Sequence, residues 1–390
     1  MFISPFRRVK PAEQLSVDPG ETRERQPLGF EYDEHRLLGD QITLTLESGE
    51  KPHAGSVPLL SLFGKLSLTY GQICALAGDF YGTDKPISDG NSDSDRCNRF
   101  IAAFDTLANN PHDQPQDAGA LLDFLQTEVD AVNAAVSQGK DPSEAYANAG
   151  FWDPVKLDFK TKDRRPGFPG YLALAAINWD HFGEDARTVY NVGHAAAIKH
   201  AATTGDLLRA YALNAFADHF LEDCFSAGHL RTPRRPLHGL AHARDLCAKY
   251  MHDEDCALGI DVQSQEGQKW TVFGDKRLLD KINHDNLVRV STAVQTSADE
   301  VYQAWSTKKE IPAADFKVWD QAPTVESARG PQTLAPLFTF PASSELADVK
   351  RRSTLKNRRE WKFDKNWLTA VTVAKIAASG YWKYPMSMDP

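Results

Sequence analysis

The most constraining stretch of this 390-residue chain is an apolar helical run at residues 207–223 that carries metal-ligand residue types. His219 and Asp223 are four residues apart, so both side chains project from one helix face about one turn apart. Residues 226–228 can end or bend the helix, and His229 follows six residues after Asp223. A lone His–Asp pair on a helix is usually exposed to solvent or caps the end of a helix. Three such residues in an apolar setting favour a metal site, because a buried unpaired carboxylate is costly.

Helical periodicity elsewhere predicts a largely helical protein. It is present at residues 66–77, 94–107, 118–136, 171–177, 188–203, 237–251, 287–305 and 367–378. The alternation at 42–46 predicts a short strand, and the glycine-dotted segment 259–275 predicts a loop or a small hairpin. The basic run at 351–359 is typical of a solvated helix face. We therefore expect an all-α, multi-helix bundle with irregular loops and a small β hairpin.

Composition and length suggest how the chain is divided. A chain of 390 residues with 42% hydrophobic and 25% charged residues can bury a full-sized core. Residues 1–28 are polar and charged, and they predict a flexible N-terminal tail. Residues 29–310 are predicted to form the main helical domain. Residues 311–390 form a C-terminal extension with short helices, whose Pro-rich part at 311–341 is expected to be a surface connection.

Charge and cysteine usage exclude several function classes. A net charge of −9 argues against a broad nucleic-acid-binding surface, which needs clustered Lys and Arg. Five cysteines without CxxC spacing indicate neither a disulfide framework nor a cysteine zinc site. The first ten residues lack the apolar core of a secretory signal, and no run approaches the ~20 apolar residues of a membrane span. We expect a soluble protein, with its localisation left open.

The spacing His219-x-x-x-Asp223-x-x-x-x-x-His229 resembles the core motif of the zinc-dependent phospholipase C and P1/S1 nuclease superfamily. The surrounding residues 219–231 look most like the bacterial and fungal phospholipase C branch. The resemblance covers residues 70–275 in patches and is most specific at the central motif. It implies an all-helical, secreted enzyme that holds two or three zinc ions.

Several ligands follow from this resemblance. Asp79, in a glycine-bracketed turn, resembles the early aspartate ligand, and His181 resembles the histidine of a His-Phe pair. With His219 they would complete one metal site, while Asp223 would bridge two metals. Asp79 and Asp223 are the expected catalytic residues.

The second zinc site would pair His229 with a later histidine and carboxylate. His238, with His242 four residues on, is one candidate, although the superfamily has a carboxylate at the second position. The other is His252 with Glu254 or Asp255, which resembles a Met-His-Asp-Glu-Asp signature, and we favour His252 with Glu254.

The third zinc of the superfamily uses an N-terminal Trp amine and a nearby His. This chain begins with Met1, so His35 and Asp40 are the candidates for that role.

The resemblance predicts a zinc-dependent phospholipase C that hydrolyses the glycerol-side phosphodiester bond of phospholipids by metal-activated hydroxide. Arg231, with Arg234 and Arg235, could hold the substrate phosphate. The expected partner is a phospholipid met in transient contact with a membrane surface, without a stable nucleic-acid complex. The alternatives are a P1/S1-like nuclease or general phosphodiesterase, and a non-catalytic helical interaction protein with a degenerate metal site.

Overall fold

A computed structural model describes residues 32–62, 64–109, 115–143, 169–239, 243–340 and 346–379. In this part of the chain most residues are helical and the sheets are small and antiparallel, which confirms the predicted all-α class. The predicted tail at 1–28 lies outside the described residues.

Twelve α-helices are present in the described ranges, and short 3₁₀ turns connect several of them. In chain order, α1 to α12 are Tyr32–Gln41, Tyr70–Leu76, Asp93–Ala108, Pro115–Ser137, Tyr171–Ala176, Gly183–Thr204, Leu207–Asp223, Ala227–Arg231, Ala243–Leu258, His284–Thr307, Val325–Arg329 and Thr369–Ser379.

Helix α7 is the centre of the main core. It packs against α6, α10 and α2, and every residue from Ala210 to Asp223 is buried. A helix buried on all sides must be apolar around its circumference or must satisfy its polar groups inside the protein. Phe216 shows the first solution, since it meets the rings of Phe100 and Phe104 edge-to-face at 5.7 Å.

The polar residues of α7 follow the second solution. Asn214 and Asp218, one turn apart, enter a buried hydrogen-bond network. The Tyr70 hydroxyl donates to Asp218 Oδ2 at 2.6 Å, and the Ser297 hydroxyl donates to Asp218 Oδ1 at 2.7 Å. Because Tyr70 lies on α2 and Ser297 on α10, this network fixes the rotation of α7 between its neighbours.

Seven short strands form three antiparallel sheets. Strands β1 to β7 are Leu60–Leu62, Leu66–Leu68, Ile260–Gln263, Lys269–Val272, Phe338–Thr339, Lys350–Arg352 and Phe363–Asp364. β1 pairs with β2, β3 with β4, and β6 lies between β5 and β7. In the β3–β4 pair Ile260 faces Val272, and this pair is the small hairpin predicted as one alternative for residues 259–275.

Two predicted helices have different bounds. The run at 66–77 begins as strand β2 and becomes helix only at Tyr70, because the Thr69 side chain caps α2 by accepting from the backbone of Gln72. The helix predicted at 237–251 instead spans Ala243–Leu258. His252 and the acidic residues after it therefore belong to a helix rather than to its end.

Three expectations from the sequence are wrong. Residues 42–46 form no strand, because only Thr43 makes a bridge, with His53. Phe316 and Val318 of the predicted surface connection are buried in the main core. The basic run at 351–359 begins in strand β6, where Arg352 is fully buried. Composition was a poor guide in these segments because tertiary contacts satisfy their backbone and charged groups.

Candidate metal centre

The centre is built around the last turn of α7. His219 and Asp223 lie on one face of this helix, and His219 Nε2 is 3.6 Å from Asp223 Oδ2. The 3₁₀ turn Asn178–His181 brings His181 to the same carboxylate, with its Nδ1 2.8 Å from Oδ2. The nitrogens of His219 and His181 are 3.0 Å apart. Asp79 joins these two histidines in a group whose ligand atoms lie within 4.8 Å of one another.

A second group lies on the other side of Asp223. Helix α8 supplies His229, α9 supplies His252, and the segment after β4 supplies Asp275. Asp275 Oδ2 is 2.9 Å from His252 Nε2 and 3.4 Å from His229 Nε2. His229 Nδ1 is also 3.2 Å from Asp223 Oδ1, so Asp223 contacts both groups.

A third group includes His35 of α1. Its Nε2 is 4.0 Å from Asp223 Oδ1, and its ring stacks on His219 with centroids 4.3 Å apart. His35 Nδ1 makes a 2.5 Å hydrogen bond with Glu222 Oε2, which also accepts from the Cys74 thiol. Asp223 is thus the one carboxylate that approaches histidines of all three groups within the described residues.

In His219 and His229, the Nδ1 atom of the ring is hydrogen-bonded to a backbone carbonyl. His219 Nδ1 donates to the carbonyl of Cys74 at 3.0 Å, and His229 Nδ1 donates to the carbonyl of His181 at 2.8 Å. Both bonds leave Nε2 as the lone-pair nitrogen directed into the centre. This is the orientation that proteins impose on metal-ligating histidines.

Electrostatics keep two of the imidazoles in the metal-binding form. Burial lowers the pKa of His35 to about 4 and holds the pKa of His219 well below its usual value. Neutral imidazole is the form that ligates metals. Burial also acts on His181, but the Asp223 carboxylate outweighs it and raises the pKa of His181 to about 9.

The pKa values of the carboxylates also shift in two directions. Burial raises the pKa of Asp79 to about 6, although that side chain is only half-buried. Burial would also raise the pKa of Asp223 and Asp275, but the imidazoles around them hold both well below the usual value. Asp223 and Asp275 are therefore ionised over the whole neutral range.

The arrangement fits a metal ion on two counts. Two ligand atoms that each lie about 2.0–2.1 Å from a tetrahedral zinc are about 3.3 Å apart. The imidazole contacts of Asp223 and Asp275 run from 2.8 Å to 3.6 Å, except that of His35, whose Nε2 is 4.0 Å from Asp223. In addition, Asp223 Oδ1 and Asp275 Oδ2 are buried without a hydrogen bond of normal geometry, although imidazole nitrogens lie close by. Cations shared between these atoms would satisfy both oxygens.

Glycines allow the close approach of these elements. Gly78 has a φ of +65°, and a Cβ there would lie 2.6 Å from His181 Cε1. A Cβ at Gly228 would lie 2.5 Å from His252 Cδ2 and from Cys256 Sγ. A cavity of about 40 Å³ lies beside His181, and it is mostly apolar. Its lining includes Ile87, Leu174, Phe216, Phe220 and Lys85.

The structure places Glu254 and Arg231 away from the ligand groups. Glu254, the favoured carboxylate for the second zinc, accepts from Arg352 at 2.8 Å inside the protein. Arg231, the proposed phosphate contact, donates through Nε to Asp255 at 2.8 Å. Glu254 is two residues after His252 on α9, so it lies on another face of that helix, and Arg231 of α8 is directed at Asp255.

The remaining candidates also have other surroundings. The Asp40 carboxylate accepts from the backbone of Gly71 at 3.0 Å. His238 lies 3.4 Å from Asp245 and against the ring of Trp179. His242 lies outside the described residues.

Asp275 is the residue that sequence reasoning missed. It follows a hairpin, so no helical spacing links it to His252, and its position is fixed by the Ser226 hydroxyl, which donates to Oδ1 at 2.5 Å. The superfamily that the central motif resembles has a carboxylate four residues after this histidine. That position is Cys256, whose thiol lies 3.6 Å from His252 Nε2. Only the glycine and aspartate that end the hairpin segment gave a local signal.

Comparison with protein-family models, with curated proteins and with solved structures gave no match. Within the described ranges, the chain has no helix that combines the length and apolarity needed to cross a bilayer. The buried His, Asp, Glu and Cys clusters could hold metal ions, and this conclusion depends on their geometry alone.

Proposed function

We propose that this protein is a zinc-dependent phosphodiester hydrolase of the phospholipase C type. One observation carries the proposal: Asp223 joins three groups of potential ligands contributed by separate elements of the fold. A single tetrahedral ion needs four ligands, whereas the three groups offer His35, Asp79, His181, His219, Asp223, His229, His252 and Asp275. Two or three ions, placed close together, are the expected content.

Asp79, His181, His219 and Asp223 would hold one ion, His229, His252 and Asp275 a second, and His35 with Asp223 a third. Zinc in such a cluster supplies Lewis acidity toward phosphate oxygens and activates water. The protein's own contribution is preorganisation. The carbonyl of Cys74 and the Ser226 hydroxyl fix the directions of His219 and Asp275 before any substrate arrives.

Asp79 is the ligand that is suited to meet the substrate. It is half-buried, whereas Asp223 and the histidines around it are buried. The cavity beside His181 is also lined by Gly78, the residue before Asp79. This cavity has room for only a few water molecules, so the apolar portion of a substrate would lie outside it, and the half-buried Asp79 is the feature that admits a phosphodiester.

The surroundings favour a lipid over a nucleic acid. A polyanion needs a basic track near the reacting phosphate. The three arginines after the motif are instead directed at carboxylates: Arg231 at Asp255, Arg234 at Asp245, and Arg235 at Asp185. Their charge is largely compensated inside the protein.

Base stacking has little support at the centre. A nuclease stacks bases on aromatic rings beside the metals. Phe182 instead stacks on His229 with ring centroids 4.6 Å apart, and it is buried. Trp179 is also buried and lies against His238. A nuclease or general phosphodiesterase is therefore the second candidate.

A degenerate, non-catalytic site is the third candidate, and Cys256 is the observation in its favour, since it occupies the position of a superfamily carboxylate. Asp275 offers a carboxylate to the same histidines and argues for a complete second group.

The test is a side-by-side assay of zinc-loaded full-length protein on phosphatidylcholine vesicles, single-stranded DNA and RNA. We expect the lipid to be hydrolysed at least about tenfold faster, with activity abolished by chelator and restored by zinc. Asp223→Asn should be inactive, while the exposed Asp123→Asn serves as the matched control and should keep full activity. Faster cleavage of nucleic acid would replace the lipid proposal by the nuclease. Zinc binding without hydrolysis of either would favour the degenerate site.

A further inference from the structure

The C-terminal part of the chain has a charge that is opposite to that of the whole. Residues 350–375 contain nine Lys or Arg residues and two carboxylates, a net charge of +7 in a chain of net charge −9. Three of the nine are the buried arginines 351, 352 and 358. The other six are exposed to solvent: Lys350, Lys356, Arg359, Lys362, Lys365 and Lys375. The basic excess is therefore at the surface.

Large apolar side chains are exposed among these lysines. Leu368 is 70% exposed, more than any other large apolar residue in the described ranges. Val371, three residues later, is 43% exposed, and Trp361 is 49% exposed next to Lys362. Single exposed apolar residues are ordinary, but a group of them among side chains that are mainly cationic indicates a binding surface.

Arg351 connects the two elements that present these residues. Its guanidinium donates to Asp364 of β7 and to Thr372 of α12, each at 3.2 Å. Trp361 and Lys362 lead into β7, and Lys365 and Leu368 lie in the short connection to α12. We name the exposed residues Trp361, Lys362, Lys365, Leu368, Val371 and Lys375 the C-terminal surface.

Helix α12 has a clear division between its sides. Thr372 and Ile376 are buried, and α12 packs on α9, the helix that contributes His252. Leu368, directly before α12, and Val371 and Lys375 within it follow the spacing i, i+3, i+7, and all three are exposed on the opposite, solvent-facing side. The helix is amphipathic, with an exposed side that mixes aliphatic groups and an ammonium group.

We propose that the C-terminal surface binds the headgroup region of an anionic lipid bilayer. Aliphatic and Trp side chains beside lysines are the composition of interfacial helices, in which the apolar groups enter the acyl boundary and the lysines meet acidic headgroups. Because the lysines of this surface are positively charged, we expect it to prefer a bilayer with negatively charged headgroups. A nucleic acid would also attract the lysines, but its bases stack on aromatic rings and offer nothing to Leu368 and Val371.

This binding goes beyond the proposed hydrolysis, because it requires neither metal ions nor turnover. The experiment is co-sedimentation of the full-length, metal-loaded protein with vesicles of phosphatidylcholine alone or with about one third phosphatidylserine. Headgroup release is measured in parallel. Tight binding without any headgroup release would leave this inference standing and remove the proposed function.

Wild-type protein should bind the anionic vesicles and lose that binding as salt is raised. Each lysine near the surface contributes roughly a fivefold gain in affinity, so the triple variant Lys362→Glu, Lys365→Glu, Lys375→Glu, which also adds three negative charges, should bind at least about 100-fold more weakly. The double variant Leu368→Ser, Val371→Ser should also bind more weakly, and it should leave the salt dependence in place. Matched controls are Lys51→Glu with Lys65→Glu and Lys309→Glu, and Ile282→Ser, all at exposed positions elsewhere.

Three results would overturn the inference: equal binding to neutral and anionic vesicles, equal losses in the control variants, or tighter binding of a single-stranded oligonucleotide than of vesicles. Thermal unfolding of each variant checks its fold. If the triple variant is unfolded, the single Lys365→Glu variant replaces it. Weaker vesicle binding by this variant, together with the loss of wild-type binding at high salt, then supports the inference, and unchanged binding overturns it.

Discussion

Asp275 and Glu254 offer a direct comparison between the carboxylate that the structure places at the centre and the one that the sequence favoured. Both are buried acidic residues near His252, and both can be changed to the isosteric amide. Asp275→Asn removes a charge that lies 2.9 Å from His252 Nε2. Glu254→Gln removes a charge that lies 2.8 Å from the Arg352 guanidinium.

The two changes should have opposite consequences. Loss of an outer partner of a metal ligand typically costs 10–100-fold in metal affinity, so loss of a ligand itself should cost at least about 100-fold. Asp275→Asn should therefore lose about one zinc ion per chain. Glu254→Gln should keep its zinc, but it leaves the fully buried Arg352 without its carboxylate. Breaking a buried ion pair costs about 3–5 kcal/mol, which corresponds to a fall in Tm of about 6–10 °C at roughly 2 °C per kcal/mol.

The assay is elemental analysis of dialysed protein, with Tm measured by circular dichroism on the same samples. Both variants are compared with Asp123→Asn, an exposed change on α4. Loss of zinc in Glu254→Gln together with full zinc in Asp275→Asn would refute the assignment of the second group. Equal zinc loss in both variants would indicate that folding, rather than ligation, controls the metal content.

Three further predictions concern the centre as a whole. Asp223→Asn should lose more than one zinc ion per chain and all hydrolysis, whereas Glu222→Gln, whose one histidine partner in the described part of the chain is His35, should lose at most one by elemental analysis. Gly78→Ala should weaken zinc binding, measured by competition with a chromogenic chelator, because the new methyl group would lie 2.6 Å from His181 at a positive φ; unchanged affinity would contradict the close packing. Chelation of the wild-type protein should lower Tm, since zinc at about a thousand times its Kd adds about 4 kcal/mol, and an unchanged Tm would show that the buried carboxylates need no cation.

The pattern of α7 could be predicted from the sequence because it is local. A helix fixes the relation between residues four apart, so His219 and Asp223 had to share a face once the helix formed. The bend after Asp223, the many helices and the small hairpin follow from periodicity and from glycine in the same way. His35 was named by its resemblance to a role in the superfamily, and the structure brings it to Asp223 across the whole core.

Tertiary structure alone decided which carboxylates meet which cations. Glu254 and Asp275 carry the same charge, and nothing in their local sequence shows that one faces Arg352 and the other His252. Long-range contacts also explain why Phe316 is buried in a Pro-rich segment and why Arg352 lies inside a basic run. The physical reason is that a buried charge is stable only beside its partner, and the partner's position depends on the packing of elements far apart in the chain.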